Sequence, residues 1–300
     1  MDYLDIDVQK KAKGNWATKV QGVKEVDISI SGTDGHKIPI RLHSPATPPA
    51  DGSPLVMIFH GGGFVAGGLH NETESSRLFV QNLGCVVVNV DYRLAPKHPF
   101  PAAPNDCWDA TKWVAANAAE LKADPSKGFI IAGTSSGGNL AAVCGVLARD
   151  HQLSPPVTGL LLMVPCFFDS HDIPEKYKGD LKSYEEQKNA ATLNQSLIDT
   201  FEAAYKPDGN STLYNLYTPN ATRAGLPPTF LQVCELDPLR DDAIVFEREL
   251  REDLGIPTKL LKYDNVPHGF WAFWPHKEES KRFMMDTVDG LRWLLSHPSK

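Results

Sequence analysis

Two spacings of apolar residues divide this chain. Residues 24–32 (KEVDISISG) alternate apolar and polar positions, and residues 36–44 (HKIPIRLHS) repeat the alternation after a TDG turn. A period of two describes a strand with one buried face, so the pair predicts an antiparallel hairpin. The pattern then changes to short continuous apolar runs at 54–59 (PLVMIF), 85–90 (CVVVNV), 128–133 (GFIIAG), 157–164 (VTGLLLMV), 229–234 (TFLQVC) and 258–263 (TKLLKY). Runs of this kind suit strands buried on both faces of a parallel sheet. Helical stretches at 102–121, 136–150, 240–255 and 277–297 fall between or after them, the third ending on Gly255 in a stop position. The alternation predicts an α/β fold, a mostly parallel central sheet with helices on both faces.

Residues 170–220 interrupt this rhythm and contain no strand-like run. Within them Leu193, Leu197, Ile198, Phe201 and Tyr205 fall on one helical stripe with an apolar face to bury. An insertion between two core strands reads as a helical cap on a single domain spanning residues 1–300, with residues 1–22 expected to join it.

Composition narrows the function. The chain has 300 residues, 42% of them hydrophobic, with a net charge of −7 and no basic block beyond KKAK at 10–13, which argues against nucleic acid or an anionic membrane as partner. No apolar stretch is long enough to span a membrane, and the acidic N-terminal segment lacks the apolar core of a secretory signal. A cytoplasmic location is therefore expected, with the sequons at Asn71, Asn194, Asn210 and Asn220 unused. The five cysteines show no C-x-x-C spacing and read as buried thiols in a reducing compartment. Nothing points to a metal or cofactor. Oligomeric state is not legible, a homodimer being one option.

The chemistry lies in three segments. GTSSG at 133–137 follows an apolar run and opens a helical stretch, the context in which G-x-S-x-G presents a serine on a sharp, strained turn. A serine hydroxyl needs a base, and the base an orienting acid, in the chain order Ser, Asp or Glu, His for a strand–turn–helix serine. Asp237 and His268 follow two successive strand runs, where a parallel sheet carries its functional loops. Asp241 and Asp242 fall in the first turn of the next helix, which the helix dipole explains; His151, His171, His276 and His297 are worse placed. The third segment, IFHGGGFVAGG at 58–68, puts bare backbone straight after a strand. The amides of Gly62 and Gly63, with that of Ser136, are the expected donors to an oxyanion. The aromatic run FWAFW at 270–274 could equally wall a pocket or pack the last helix.

HGGGF (60–64), DYRLAPKHPFPAAPNDCWDA (91–110), GTSSGGNLAA (133–142), DPLRDD (237–242) and HGF (268–270) together resemble the hormone-sensitive-lipase-like group of α/β-hydrolases, in order and spacing from about residue 25 to the end. The resemblance implies a serine carboxylesterase for short- to medium-chain or small apolar and aromatic esters, capped by helices. It implies Ser135 as nucleophile, His268 as base, Asp237 as acid, and Gly62, Gly63 and Ser136 as oxyanion hole. His60, Tyr92 and Arg93 would be scaffold. Thr134 and Ser136 stand where the group usually has Asp and Ala, and Lys97 where it commonly has Glu. A thioesterase, amidase or acyltransferase of a secondary-metabolite pathway using the same triad remains an alternative. A non-catalytic receptor of the same fold is disfavoured, because resemblance to that kind implies loss of the histidine, and His268 is present.

Overall fold

The computed structural model describes residues 17–168 and 173–297. Nine strands form one sheet: β1 (Ala17–Val20), β2 (Val23–Ser31), β3 (Lys37–Pro45), β4 (Leu55–Phe59), β5 (Val86–Val90), β6 (Phe129–Thr134), β7 (Gly159–Met163), β8 (Thr229–Leu236) and β9 (Thr258–Pro267), in the spatial order β1-β2-β3-β5-β4-β6-β7-β8-β9. β1, β2, β3 and β5 pair antiparallel, and every pair from β5 through β4 to β9 is parallel. β4 and β7 are buried at every position, as continuous apolar runs require. β2 alternates along most of its length, with Ile28 and Ile30 buried and Asp27 and Ser29 exposed, the signature of a strand wet on one face.

Among the described residues the helices are α1 (Thr73–Leu83), α2 (Ala102–Ala116), α3 (Ser136–Asp150), α4 (Ser183–Glu186), α5 (Gln195–Tyr205), α6 (Arg240–Arg248), α7 (Phe270–Phe273) and α8 (Glu278–Ser296). α1 escapes an apolar-period reading because its buried face carries Ser75 and Ser76 beside Phe79 and Val80. The Ser76 hydroxyl donates to Asn89 Oδ1 at 2.7 Å, so a polar pair fills space that hydrophobes normally fill. α6 widens into a π turn at Glu249–Asp253 instead of running to 255. The buried Glu249 carboxylate then accepts from the Tyr177 hydroxyl at 2.6 Å and pairs with Arg223 at 3.0 Å.

Of the N-terminal residues expected in the cap, 1–16 lie outside the described residues, while Ala17–Val20 extends the sheet as β1 against β2. That correction has a simple cause: β2 offers an open edge, and pairing satisfies the backbone groups of both strands. Of the insertion at 170–220, residues 170–172 are likewise outside the description. The remainder holds a 3₁₀ turn at Glu175–Tyr177, then α4 and α5, before the chain re-enters the sheet at β8.

α8 packs on the sheet through Gly290, where an added Cβ would stand 2.3 Å from the ring of Phe230, a fully buried residue of β8. Gly290→Ala should therefore lower stability by ~1–3 kcal/mol through overpacking, more than the ~1 kcal/mol that alanine gains in a helix. A thermal melt showing a lower Tm checks this; an unchanged or higher Tm contradicts it.

Candidate active site

The strand–turn–helix at β6 and α3 places Ser135 between the two elements with φ 55°, a positive value that costs a serine strain. The flanking glycines make the turn passable. A Cβ on Gly133 would lie 2.0 Å from the carbonyl oxygen of Gly137, and one on Gly137 would lie 2.1 Å from that of Phe59. The Ser135 amide donates to the carbonyl of Met163 at 2.8 Å, tying the turn to the end of β7.

Asp237 leaves the end of β8 and His268 the end of β9, and the sheet brings both to Ser135. His268 Nε2 lies 3.0 Å from Ser135 Oγ, and His268 Nδ1 lies 2.7 Å from Asp237 Oδ2. The second carboxylate oxygen, Oδ1, accepts from the Leu239 amide at 2.9 Å, which fixes the rotation of the buried Asp237 side chain. The Thr192 hydroxyl donates to the carbonyl of His268 at 2.7 Å, a support that no motif announced. A hydroxyl joined through an imidazole to a buried carboxylate can pass its proton to the ring and leave the oxygen free to attack a carbonyl.

The neighbouring acids face elsewhere. Asp241 accepts from the amides of Lys182 and Ser183, at 2.9 and 2.7 Å. Asp242 accepts from the amides of Phe167 and Phe168, at 2.6 and 3.0 Å, and from the Tyr184 hydroxyl at 3.0 Å, while burial pushes its carboxyl up to about 8. Both anchor the connection leaving β7.

The glycine segment leaves β4 and turns back at once. Gly62 has φ 120° and Gly63 φ 60°, and the amides of Val65 and Ala66 both donate to the Gly62 carbonyl. Among the described residues, no protein acceptor takes the amides of Gly62, Gly63 or Ser136, and all three residues line the same cavity as Ser135. His60 sits behind the turn, its ring stacked on Tyr92 at 4.2 Å, and its Nδ1 donates to the Gly61 carbonyl at 2.8 Å. Burial pulls its pKa down to about 4, so the ring is neutral at pH 7. The Tyr92 hydroxyl donates to the His60 carbonyl at 2.7 Å, and Arg93 pairs with Asp106 and Asp34, each at 2.7 Å.

The cavity in front of Ser135 has a volume of about 350 Å³. Leu197, Phe201 and Tyr205 of α5 form one wall, and Trp271 and Phe273 of α7 contribute to another. FWAFW thus divides its work: Phe270 packs into the core against Tyr263 and Phe283, Trp271, Ala272 and Phe273 line the cavity, and Trp274 is exposed. Phe201 stands close over the glycine turn, where a Cβ on Gly63 would meet its ring at 2.2 Å. Of the thiols, Cys85, Cys107, Cys144 and Cys234 are buried, and the half-buried Cys166 lines the cavity.

A family model described as alpha/beta hydrolase fold matches residues 56–272. The AB hydrolase superfamily protein B1A11.02 of Schizosaccharomyces pombe is 39% identical over 279 residues, 93% of this chain and 82% of that protein. Carboxylesterase NlhH of Mycobacterium tuberculosis is 38% identical over 248 residues, 81% of this chain and 74% of its own. Among solved structures, vibralactone cyclase superposes with a TM-score of 0.87 at 31% identity, over 96% of this chain and 84% of the other. No helix among the described residues is long and apolar enough to cross a membrane. Fold, motifs and relatives agree: this chain belongs to the α/β hydrolase fold family, in its hormone-sensitive-lipase-like group, and is a carboxylic ester hydrolase.

Proposed function

We propose that the enzyme hydrolyses short- to medium-chain or small aromatic carboxylic esters through an acyl intermediate on Ser135. The reading is carried by the 3.0 and 2.7 Å hydrogen bonds that join Ser135, His268 and Asp237 at the floor of an apolar cavity. Ser135 Oγ attacks the ester carbonyl as His268 Nε2 takes its proton, and Asp237 stabilises the imidazolium while holding the Nδ1 proton. The amides of Gly62, Gly63 and Ser136 meet the negative charge on the tetrahedral oxygen. His268 then protonates the departing alcohol. Water takes the alcohol's place, gives a proton to His268 and attacks the acyl carbon; the acyl–Oγ bond then breaks, His268 returns the proton to Ser135 Oγ, and the carboxylic acid leaves.

In this reading the segment carrying α4 and α5 is the cap, with Phe201 restricting the depth available to the substrate. Hydrolysis of p-nitrophenyl acetate, butyrate and octanoate tests the size claim. The first two should be preferred, and Phe201→Ala should move the ratio of kcat/KM values toward octanoate by roughly 10-fold, the effect of a few methylenes admitted to a pocket. An unchanged profile removes Phe201 from the acyl site. The likeness to a protein named as a cyclase favours one second reading, in which a nucleophile other than water resolves the same acyl-enzyme. Product analysis separates the two, since hydrolysis yields free acid in step with p-nitrophenol.

A further inference from the structure

Glu72 is a carboxyl in the cavity wall for which the mechanism above has no task. It precedes the first turn of α1, is only 6% exposed, and lines the cavity beside Asn71 and Thr134. Its hydrogen-bond donor is neutral: the Ser75 hydroxyl donates to Oε2 at 3.3 Å. Among the described residues no Lys or Arg lines the cavity; the other titratable side chains in the polar part of its wall are Glu202 of α5 and His268. His70, two residues before Glu72, acts on Asp91 and His60. An aspartate at 134 would set a second carboxylate on the same cavity wall as Glu72, whereas the threonine there adds no charge. Burial without a cation pushes the Glu72 carboxyl up to about 7. Such a group gains most from a donor brought in by a ligand.

We propose that Glu72 is a specificity residue that accepts a hydrogen bond from a hydroxyl or amino substituent of the bound ester. The inference rests on the ester-hydrolase reading of the site. Its basis is an asymmetry: an apolar pocket distinguishes a methyl from a hydroxyl only weakly, whereas a buried acceptor left unpaired by the alkyl compound discriminates strongly. The pocket therefore selects donor-bearing esters over alkyl esters of the same shape.

The test uses two isosteric pairs, one for each side of the ester. p-Nitrophenyl 3-hydroxybutyrate is compared with the 3-methylbutyrate, and 3-(hydroxymethyl)phenyl acetate with 3-ethylphenyl acetate. In the wild type the hydroxyl member of one pair should have the higher kcat/KM by at least ~10-fold. That ratio should rise between pH 5.5 and 8 as the carboxyl ionises and becomes the stronger acceptor. Glu72→Leu should abolish the preference. Glu72→Gln, which keeps a carbonyl acceptor, should retain part of it with no dependence on pH. Taking ratios cancels the titration of the triad. A wild type that prefers the alkyl member of both pairs, or a preference that survives in Glu72→Leu, overturns the proposal while hydrolysis itself leaves the esterase reading standing. No turnover of any of the four esters overturns that reading, and the inference with it.

Discussion

Ser135→Ala is expected to lower kcat/KM for ester hydrolysis by about 10⁵-fold or more, the scale on which a nucleophile working as part of a triad fails. The reason is covalent: without Oγ no acyl-enzyme forms, and only binding and the oxyanion donors remain. The variant is a clean one. Alanine keeps the Cβ of serine, so the tight contacts of Gly133 and Gly137 around the turn are unaltered, and both residues bear the same strain at φ 55°. Folding should be preserved, as a melting temperature close to the wild type's will show. Residual hydrolysis within about 100-fold of the wild type would mean that another group attacks the ester.

The second large effect is expected from Asp237→Asn, with kcat falling by about 10⁴-fold and KM little changed. The geometry explains why an isosteric change costs so much. The Leu239 amide donates to Oδ1 of Asp237, so in the variant the asparagine carbonyl will take that position and turn its NH₂ group toward His268 Nδ1. Two donors then face each other unless the ring proton moves to Nε2. A proton on Nε2 points at Ser135 Oγ, and the imidazole can no longer accept from it. Steady-state kinetics at several pH values check this; a loss below about 10-fold would contradict the orienting role of Asp237.

Much of the sheet was legible because its strands are buried on both faces, and such strands read as unbroken apolar runs; the runs at 54–59 and 128–133 mark β4 and β6 within a residue. The antiparallel hairpin was legible for the opposite reason, a wet face that enforces alternation. α1 was hidden because serines occupy its buried side, and β1 because four residues are too few to show a period. The π turn after α6 depends on Glu249 finding Arg223 and Tyr177, partners distant in sequence.

The candidate site was legible where chemistry depends on a local turn. The glycines around Ser135 are dictated by contacts of about 2 Å that only hydrogen can survive, and that need is written in the motif itself. Asp237 and His268 could be picked out by their position just after strands, and Asp242 set aside by its place in a helix; its carboxyl group holds the amides of Phe167 and Phe168. Thr192, Phe201 and Glu72 belong to the same site, yet their roles depend on how separate segments meet over the cavity. A threonine in a connection, a phenylalanine on an apolar stripe and a glutamate before a helix are ordinary residues until the fold brings them together.

Rapid-quench mass spectrometry shows directly whether Ser135 carries the acyl group. Enzyme mixed with p-nitrophenyl butyrate and quenched in acid within the first turnovers should yield a butyryl adduct on the peptide containing Ser135, formed in step with a burst of p-nitrophenol and absent from Ser135→Ala. Full hydrolytic turnover with no adduct on Ser135, or with the adduct on another residue, would contradict an acyl-Ser135 intermediate.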